Sequence, residues 1–155
     1  MSRLAFTKRS NYSRCLNSAI YSLAMREHSR QELAQKLKAK EFSEGVDINA
    51  LLDELEESNY LNEKRFVESF IRYKSSRGQG LLKITNELKK RGVCSSLIQT
   101  AMKDAELSWF DLAHEQLIKK FGDKKPKDYK EKTRQMRFLA GRGFSTDVIY
   151  EVMGS

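Results

Sequence analysis

Apolar residues recur along the chain at intervals of three and four positions, the spacing that places side chains on one face of an α-helix. The pattern is clearest in three segments, at 16–23, 66–71 and 81–88. No segment alternates apolar and polar residues as a half-buried strand does, and the chain contains one proline, Pro126. The sequence therefore predicts an all-α protein.

Residues that cap helices divide this pattern into short elements. Ser29 is followed three positions later by Glu32, the spacing of a capping box, in which each side chain binds the backbone N–H of the other residue. Gly92 and Gly143 lie where helical patterns stop, and glycine ends a helix readily because it lacks a Cβ.

The helical pattern repeats with a period of 51 residues. Leu37, Leu88 and Leu139 open the hexamers LKAKEF, LKKRGV and LAGRGF, each with a basic residue in fourth place and an apolar residue in sixth place. A period of this length indicates a tandem array of structural repeats. Each repeat is expected to hold three short helices, which in the first repeat lie near 12–26, 29–41 and 46–57.

The period also predicts how the chain is organised. We expect a basic N-terminal tail at 1–11, then repeats at 12–60, 61–107 and 108–155. A three-helix unit buries little apolar surface alone, so neighbouring repeats should stack into an elongated, curved array with a long concave surface. The third repeat has Gln135 where the register expects an apolar residue, and terminal repeats are commonly atypical in this way.

The chain is basic, with a formal net charge of +8. Residues 1–60 carry nine Lys or Arg and nine Asp or Glu, residues 61–107 carry ten and five, and residues 108–155 carry ten and seven. A basic excess suits a polyanion or an acidic partner, although it also serves solubility. If phosphate is contacted, the middle and C-terminal parts are the better candidates.

Residues that could carry catalysis or bind a metal lack the required spacing. Cys15 and Cys94 form no metal-binding motif, and Cys15 lies in an apolar series that predicts burial. We interpret His28 and His114 as solvated or locally capping, and the acidic stretch 53–57 as a solvated helix face. The sequence therefore predicts no catalytic residue, no metal site and no cofactor, and a protein that is not an enzyme.

Eight basic residues of the middle repeat form the candidate binding site. They follow two consecutive predicted helices that could present one continuous positive surface, and they are Arg65, Arg72, Lys74, Arg77, Lys83, Lys89, Lys90 and Arg91. For any one of them, an ordinary surface charge is an equal alternative. The turn 77–80, Arg-Gly-Gln-Gly, lacks the strand and the Gly-Lys-Ser/Thr of a phosphate-binding loop, so we interpret it as a flexible interhelical turn.

No apolar run approaches the roughly 18 residues of a membrane span, and the basic N-terminus lacks the apolar segment of a secretion signal. We therefore expect a cytoplasmic protein that makes no use of a membrane. We also expect a monomer.

The segment at 60–93 resembles the central signature of the RecX family. It shares with that signature Tyr60-Leu61, Arg65-Phe66, an aromatic helix, Arg77-Gly78, Gly80 and an E-L-x-x-K/R-G helix end. The segment at 25–37, MREHSRQELAQKL, resembles the first repeat of the family, and 138–153, FLAGRGFSTDVIYEVM, resembles its close. The likeness extends from about residue 14 onward, and three such segments in order are highly specific.

The resemblance implies a repeat array that lodges in the helical groove of the RecA nucleoprotein filament. It implies a regulator that limits filament growth and damps strand exchange, ATP hydrolysis and the co-protease activity of the DNA-damage response. DNA, single- or double-stranded, is a further candidate partner. The rival hypothesis is a regulator that coats single-stranded DNA with its basic face and never contacts RecA, and a hydrolase on a helical scaffold is the least favoured alternative. No catalytic residue carries over from the family.

Overall fold

The structure is a computed structural model that describes the backbone of residues 3–154 and the side chains of residues 10–154. Within that part of the chain it contains nine α-helices, one short 3-10 turn at Glu41–Ser43 and no strand, which confirms the all-α prediction. The helices are α1 (Arg3–Met25), α2 (Arg30–Lys38), α3 (Ile48–Glu57), α4 (Glu63–Ser76), α5 (Leu81–Lys90), α6 (Ser95–Asp104), α7 (Trp109–Phe121), α8 (Tyr129–Gly141) and α9 (Thr146–Met153).

The first helix is longer than the sequence pattern indicated. Helix α1 begins at Arg3, so it takes in most of the segment that we assigned to a basic tail at 1–11, and residues 1 and 2 lie outside the described part of the chain. No glycine or proline occurs between Arg3 and Met25, so nothing in the backbone chemistry interrupts the helix there.

Burial follows the 51-residue register. Leu37, Leu88 and Leu139, which open the three hexamers, are at most 1% exposed. Gln135 is also buried, although it is polar and stands where the other repeats have an aliphatic residue. The register therefore predicts which positions face the core even where the side chain changes its chemistry.

The chain divides into two compact units. The first runs to Ser69 and includes Arg91–Val93, and the second comprises Phe70–Lys90 and continues from Cys94. The core of the first unit consists of Cys15, Ala19, Leu33, Leu37, Ile48, Leu51, Leu52, Leu55 and Leu61. A core cluster in the second unit consists of Ala113, Leu117, Leu139, Phe144 and Ile149. Cys15 is thus buried, as predicted.

The predicted helix caps are confirmed. The Oγ of Ser29 accepts the backbone N–H of Glu32 at 3.1 Å, and the carboxylate of Glu32 accepts the backbone N–H of Ser29 at 3.2 Å. Gly92 and Gly143 adopt φ values of 84° and 96°, the left-handed conformation in which a glycine ends a helix without strain. Local sequence therefore fixes where α2 begins and where α5 and α8 end.

The two histidines differ in their surroundings. His114 is exposed, as expected, but His28 is 1% exposed and so is not solvated. It lies in the connection between α1 and α2, next to the buried cap Ser29. Its Nδ1–H donates to the carbonyl oxygen of Arg26 at 3.0 Å, and its buried Nε2 has no partner among the residues described. Burial lowers the pKa of His28 because it disfavours the charged ring.

Candidate basic interface of the middle repeat

Helices α4 and α5 each bury one apolar face. Phe66, Val67 and Ile71 are buried on α4, and Ile84 and Leu88 are buried on α5. Both sets follow helical spacing, so the remaining positions of each helix turn away from the core. Six of the eight basic residues predicted as a binding site occupy these remaining positions, and Arg77 and Arg91 lie in the turns that follow α4 and α5.

Carboxylates of the protein form ion pairs with Arg65, Lys74 and Arg91 of the predicted site. The pairs are Arg65 with Glu27, Lys74 with Glu87 at 3.6 Å, and Arg91 with Glu32 at 3.6 Å. In each pair the carboxylate belongs to a different helix or connection from the cation, so the pair joins two parts of the chain. The charges of these three residues are therefore compensated within the protein. A binding role for them stays a prediction.

Arg65 holds the turn between α3 and α4. Its guanidinium donates to the carbonyl oxygens of Asn59 at 3.1 Å and Tyr60 at 3.2 Å, besides its ion pair with Glu27. Asn59 adopts a φ of 64°, a left-handed conformation that a residue other than glycine takes up at a cost. Arg65 thus stabilises a strained helix end, which gives this signature position a structural role.

The other five predicted cations are exposed, and all five belong to the second unit. We call them the middle basic set, and they are Arg72, Arg77, Lys83, Lys89 and Lys90. Lys83 and Lys90 line one open groove, whose opposite side is formed by Ala140, Gly141 and Gly143 at the end of α8. Exposed cations on well-packed helices provide fixed positive charge that an acidic or phosphate-bearing partner can meet.

Tyr73 belongs to this surface, and sequence reasoning missed it. Its side chain is 54% exposed, and the guanidinium of Arg77 lies 5.4 Å from its ring centre. The guanidinium also donates to the phenol oxygen at 3.2 and 3.3 Å, and this contact lowers the pKa of Tyr73. The signal was the spacing of the two residues. Arg77 follows Tyr73 by four positions, one residue past the end of α4, and side chains four positions apart in a helical turn lie close together.

The turn 77–80 connects α4 to α5 as predicted, but its glycines are closely packed. Gly78 and Gly80 are both buried. The backbone N–H of Gly80 donates to the carbonyl oxygen of Arg142 at 2.8 Å. The backbone N–H of Leu82 donates to the carbonyl oxygen of Gly143 at 2.9 Å. The glycines allow the start of α5 to approach the end of α8 directly.

A related contact occurs 51 residues earlier. The Oγ of Ser29 donates to the carbonyl oxygen of Arg91 at 2.8 Å. Ser29 and Gly80 occupy equivalent positions in the register, as do Arg91 and Arg142. Equivalent carbonyl oxygens in two repeats are therefore hydrogen-bonded from equivalent positions. The Ser29 hydroxyl is the donor to Arg91, and the Gly80 backbone N–H is the donor to Arg142.

Other chemistry is sparse in the described chain. Within the described residues, no group of three or more His, Cys, Asp or Glu side chains is placed to hold a metal ion. None of the helices seen between residues 3 and 154 has both the length and the apolar character needed to cross a membrane.

The nine helices between residues 3 and 154 follow one another in three groups of three, with this charged group in the middle, and define a protein built from tandem three-helix domains. Family models for the first, second and third three-helix domains of RecX match residues 15–55, 62–102 and 107–153, respectively. The chain belongs to the RecX family.

Curated relatives support the same assignment. The chain is 36% identical to "Regulatory protein RecX" of Salmonella heidelberg (strain SL476), over 94% of this chain and 93% of that protein. The identity is also 36%, with the same coverage, for "Regulatory protein RecX" of Salmonella paratyphi C (strain RKS4594). These relatives are named as regulatory proteins.

Two solved structures share the fold. The crystal structure of RecX from Lactobacillus salivarius aligns with a TM-score of 0.75 at 20% identity, over 94% of this chain and 96% of that chain. A second crystal structure, of regulatory protein RecX, aligns with a TM-score of 0.74 at 18% identity, over 97% of this chain and 74% of that chain. The prediction of three tandem three-helix repeats is confirmed.

Proposed function

We propose that this chain binds the RecA nucleoprotein filament and lowers its recombinase, ATPase and co-protease activities. The family resemblance in the sequence implies this partner, and membership of the RecX family supports a regulatory role. The observation that carries the proposal is the middle basic set, five exposed cations on two packed helices and the turn between them, in a repeat that matches the family's second domain.

Binding, and not group transfer, is the chemistry that this surface offers. Helices α4 and α5 are already folded, so the backbone that carries these cations is ordered before a partner binds and only side-chain freedom is lost. A filament presents both acidic side chains and the phosphates of its DNA, and either can pair with Lys or Arg. Long-range attraction between opposite charges would also speed the encounter.

The test compares two partners with the same labelled protein. Fluorescence anisotropy would measure binding to preformed RecA filaments on single-stranded DNA, and separately to the naked DNA, over a series of salt concentrations. A contact with protein groups should leave a salt-resistant part of the affinity, whereas pure phosphate binding weakens steeply as salt rises. Binding to naked DNA with a full salt dependence, and no added affinity for the filament, would support the rival DNA-coating regulator.

A further inference from the structure

The strongest concentration of positive charge lies in the third repeat. Residues 119–137 carry nine Lys or Arg and three Asp or Glu, an excess of +6 in a chain whose total is +8. Counting charge over whole repeats hides this segment, because Asp111, Glu115, Asp147 and Glu151 lie on either side of it. The segment covers the end of α7, the connection that follows and the first two thirds of α8.

One face of α8 gathers these charges around an exposed aromatic ring. An open hollow is lined by five residues, which we call the α8 basic face: Tyr129, Lys130, Thr133, Arg134 and Arg137. Their spacing places them on the side of α8 that is opposite the buried residues Gln135 and Leu139. Tyr129 is 83% exposed, so its ring is open to a ligand.

Aromatic residues of α7 and α8 position Arg134 of the α8 basic face. The guanidinium of Arg134 lies 5.7 Å from the ring centre of Phe121 on α7. Phe121 in turn packs edge to face against Phe138 of α8, with ring centres 5.4 Å apart. These aromatic contacts fix Arg134 relative to two helices and leave the guanidinium on the rim of the hollow.

The nearby carboxylates are occupied by helix capping. Asp128 accepts the backbone N–H of Glu131 at 2.8 Å, and Glu131 accepts the backbone N–H of Lys127 at 2.7 Å. Both interactions hold the carboxylates at the start of α8. Lys130 lies at that end, and Arg137 lies about 10 Å further along the helix axis at 1.5 Å per residue, so the cations continue beyond the capped first turn.

We propose that the α8 basic face binds single-stranded nucleic acid. A base stacks on the ring of Tyr129, and the phosphates on either side of it pair with Lys130, Arg134 and Arg137. An exposed aromatic ring among cations is the arrangement that serves unpaired strands, because every unpaired base offers a face for stacking. A duplex keeps its base faces covered, and an acidic peptide has no base to place on the ring.

The site shares no residue with the middle basic set, and the proposal does not depend on a RecA partner. The test therefore uses the full chain and a labelled oligo(dT) strand, without RecA, and measures anisotropy over a series of salt concentrations. Replacing Tyr129 with Ala should weaken binding by roughly 5- to 150-fold, and replacing it with Phe should not. Tyr21→Ala is the matched control, because Tyr21 is 70% exposed on α1.

The charges are tested in the same assay. Replacing Lys130, Arg134 and Arg137 together with Gln should make the negative slope of log affinity against log salt shallower by about 2, because each phosphate contact on a single strand contributes about −0.7 to it. The control is the triple replacement of Lys36, Lys38 and Lys40 with Gln, which removes the same charge from exposed positions in the first repeat. If circular dichroism shows that the α8 triple variant is not folded, the double variant of Lys130 and Arg137 serves instead, with a slope change of about 1.4.

Three results would overturn the proposal. Wild-type affinity of Tyr129→Ala would show that no base stacks there. Equal losses in the two triple variants would show that only total charge matters. Displacement of the labelled strand by duplex DNA or by polyglutamate as readily as by unlabelled oligo(dT) would show a surface for any polyanion.

Discussion

Gly80 lies in direct contact with the backbone of Gly143. A Cβ placed on Gly80 would come within 2.5 Å of the carbonyl group of Gly143 and of the backbone nitrogen of Phe144. The neighbouring hydrogen bond from the N–H of Gly80 to the carbonyl oxygen of Arg142, at 2.8 Å, keeps the two segments together. The contact joins the start of α5 to the end of α8, and only glycine fits there.

Replacing Gly80 with Ala should therefore lower the free energy of unfolding. The added methyl group meets backbone atoms that cannot rotate away, and overpacking of this kind costs about 1–3 kcal/mol. Urea unfolding followed by circular dichroism would measure the change. Gly141→Ala is the control, because a Cβ on Gly141 has no neighbour within 4 Å and replaces a glycine within α8. This control should be neutral or stabilising by up to about 1 kcal/mol, and a Gly80→Ala protein as stable as Gly141→Ala would contradict the role of the contact.

Replacing Ser29 with Ala should be more costly than replacing another N-cap serine. The Ser29 hydroxyl accepts the N–H of Glu32 and donates to the carbonyl oxygen of Arg91, and the residue is fully buried. Loss of both bonds should lower the free energy of unfolding by about 2 kcal/mol. Ser145 caps α9 through one hydrogen bond of 3.4 Å to the N–H of Val148, so Ser145→Ala should cost about 1 kcal/mol or less. Equal losses in the two variants would rule out a contribution from the Arg91 contact.

Stability should fall as the solution becomes acidic, because of His28. Burial keeps the pKa of His28 below its ordinary value, so the folded protein holds this ring neutral. The unfolded chain takes up a proton as the pH falls through about 6.5, and it then binds more protons than the folded chain. The free energy of unfolding should decrease from that pH downward, until the ring also protonates in the folded state.

Urea unfolding at a series of pH values would check this dependence. His28→Gln should flatten the decrease below about pH 6.5, the ordinary histidine pKa, whatever its effect on stability at neutral pH. His114→Gln should leave the decrease intact, since His114 is exposed. Identical pH profiles for the wild type and His28→Gln would show that another group is responsible.

The parts of the fold that could be predicted from the sequence depend on local signals. The capping box needs only Ser29 and Glu32, which are three residues apart, and the spacing of apolar positions fixes the core faces of the helices. The burial of Leu37, Leu88 and Leu139 could be predicted because equivalent positions of the three repeats have similar surroundings. Signals of this kind depend only on residues close together in the sequence or on the repeat, so they can be read without knowledge of the tertiary structure.

The state of the basic residues could not be predicted in the same way. Arg65 and Arg91 are paired with Glu27 and Glu32, which lie 38 and 59 residues earlier in the chain. Such pairing depends on how the helices approach one another, and nothing in the spacing along one helix indicates it. For the same reason, the sequence left open whether His28 is solvated or caps a helix locally, and the packing around the cap of α2 buries it.

ATP hydrolysis by preformed RecA filaments on single-stranded DNA tests most directly whether the middle basic set binds and restrains the filament. Arg72, Lys83 and Lys89 are the residues to replace with Glu. Arg91 is left out, because its reversal would set a like charge against Glu32 inside the protein.

The wild-type chain should inhibit hydrolysis, and the triple variant should need about 100-fold more protein for the same inhibition, at about 1 kcal/mol per reversed contact if the costs add. A control with Lys36, Lys38 and Lys40 replaced by Glu should inhibit like the wild type, and circular dichroism should be unchanged in both variants. A folded triple variant that inhibits at the wild-type concentration would place the interaction face elsewhere, and a wild-type chain without effect on the filaments would contradict the proposed function itself.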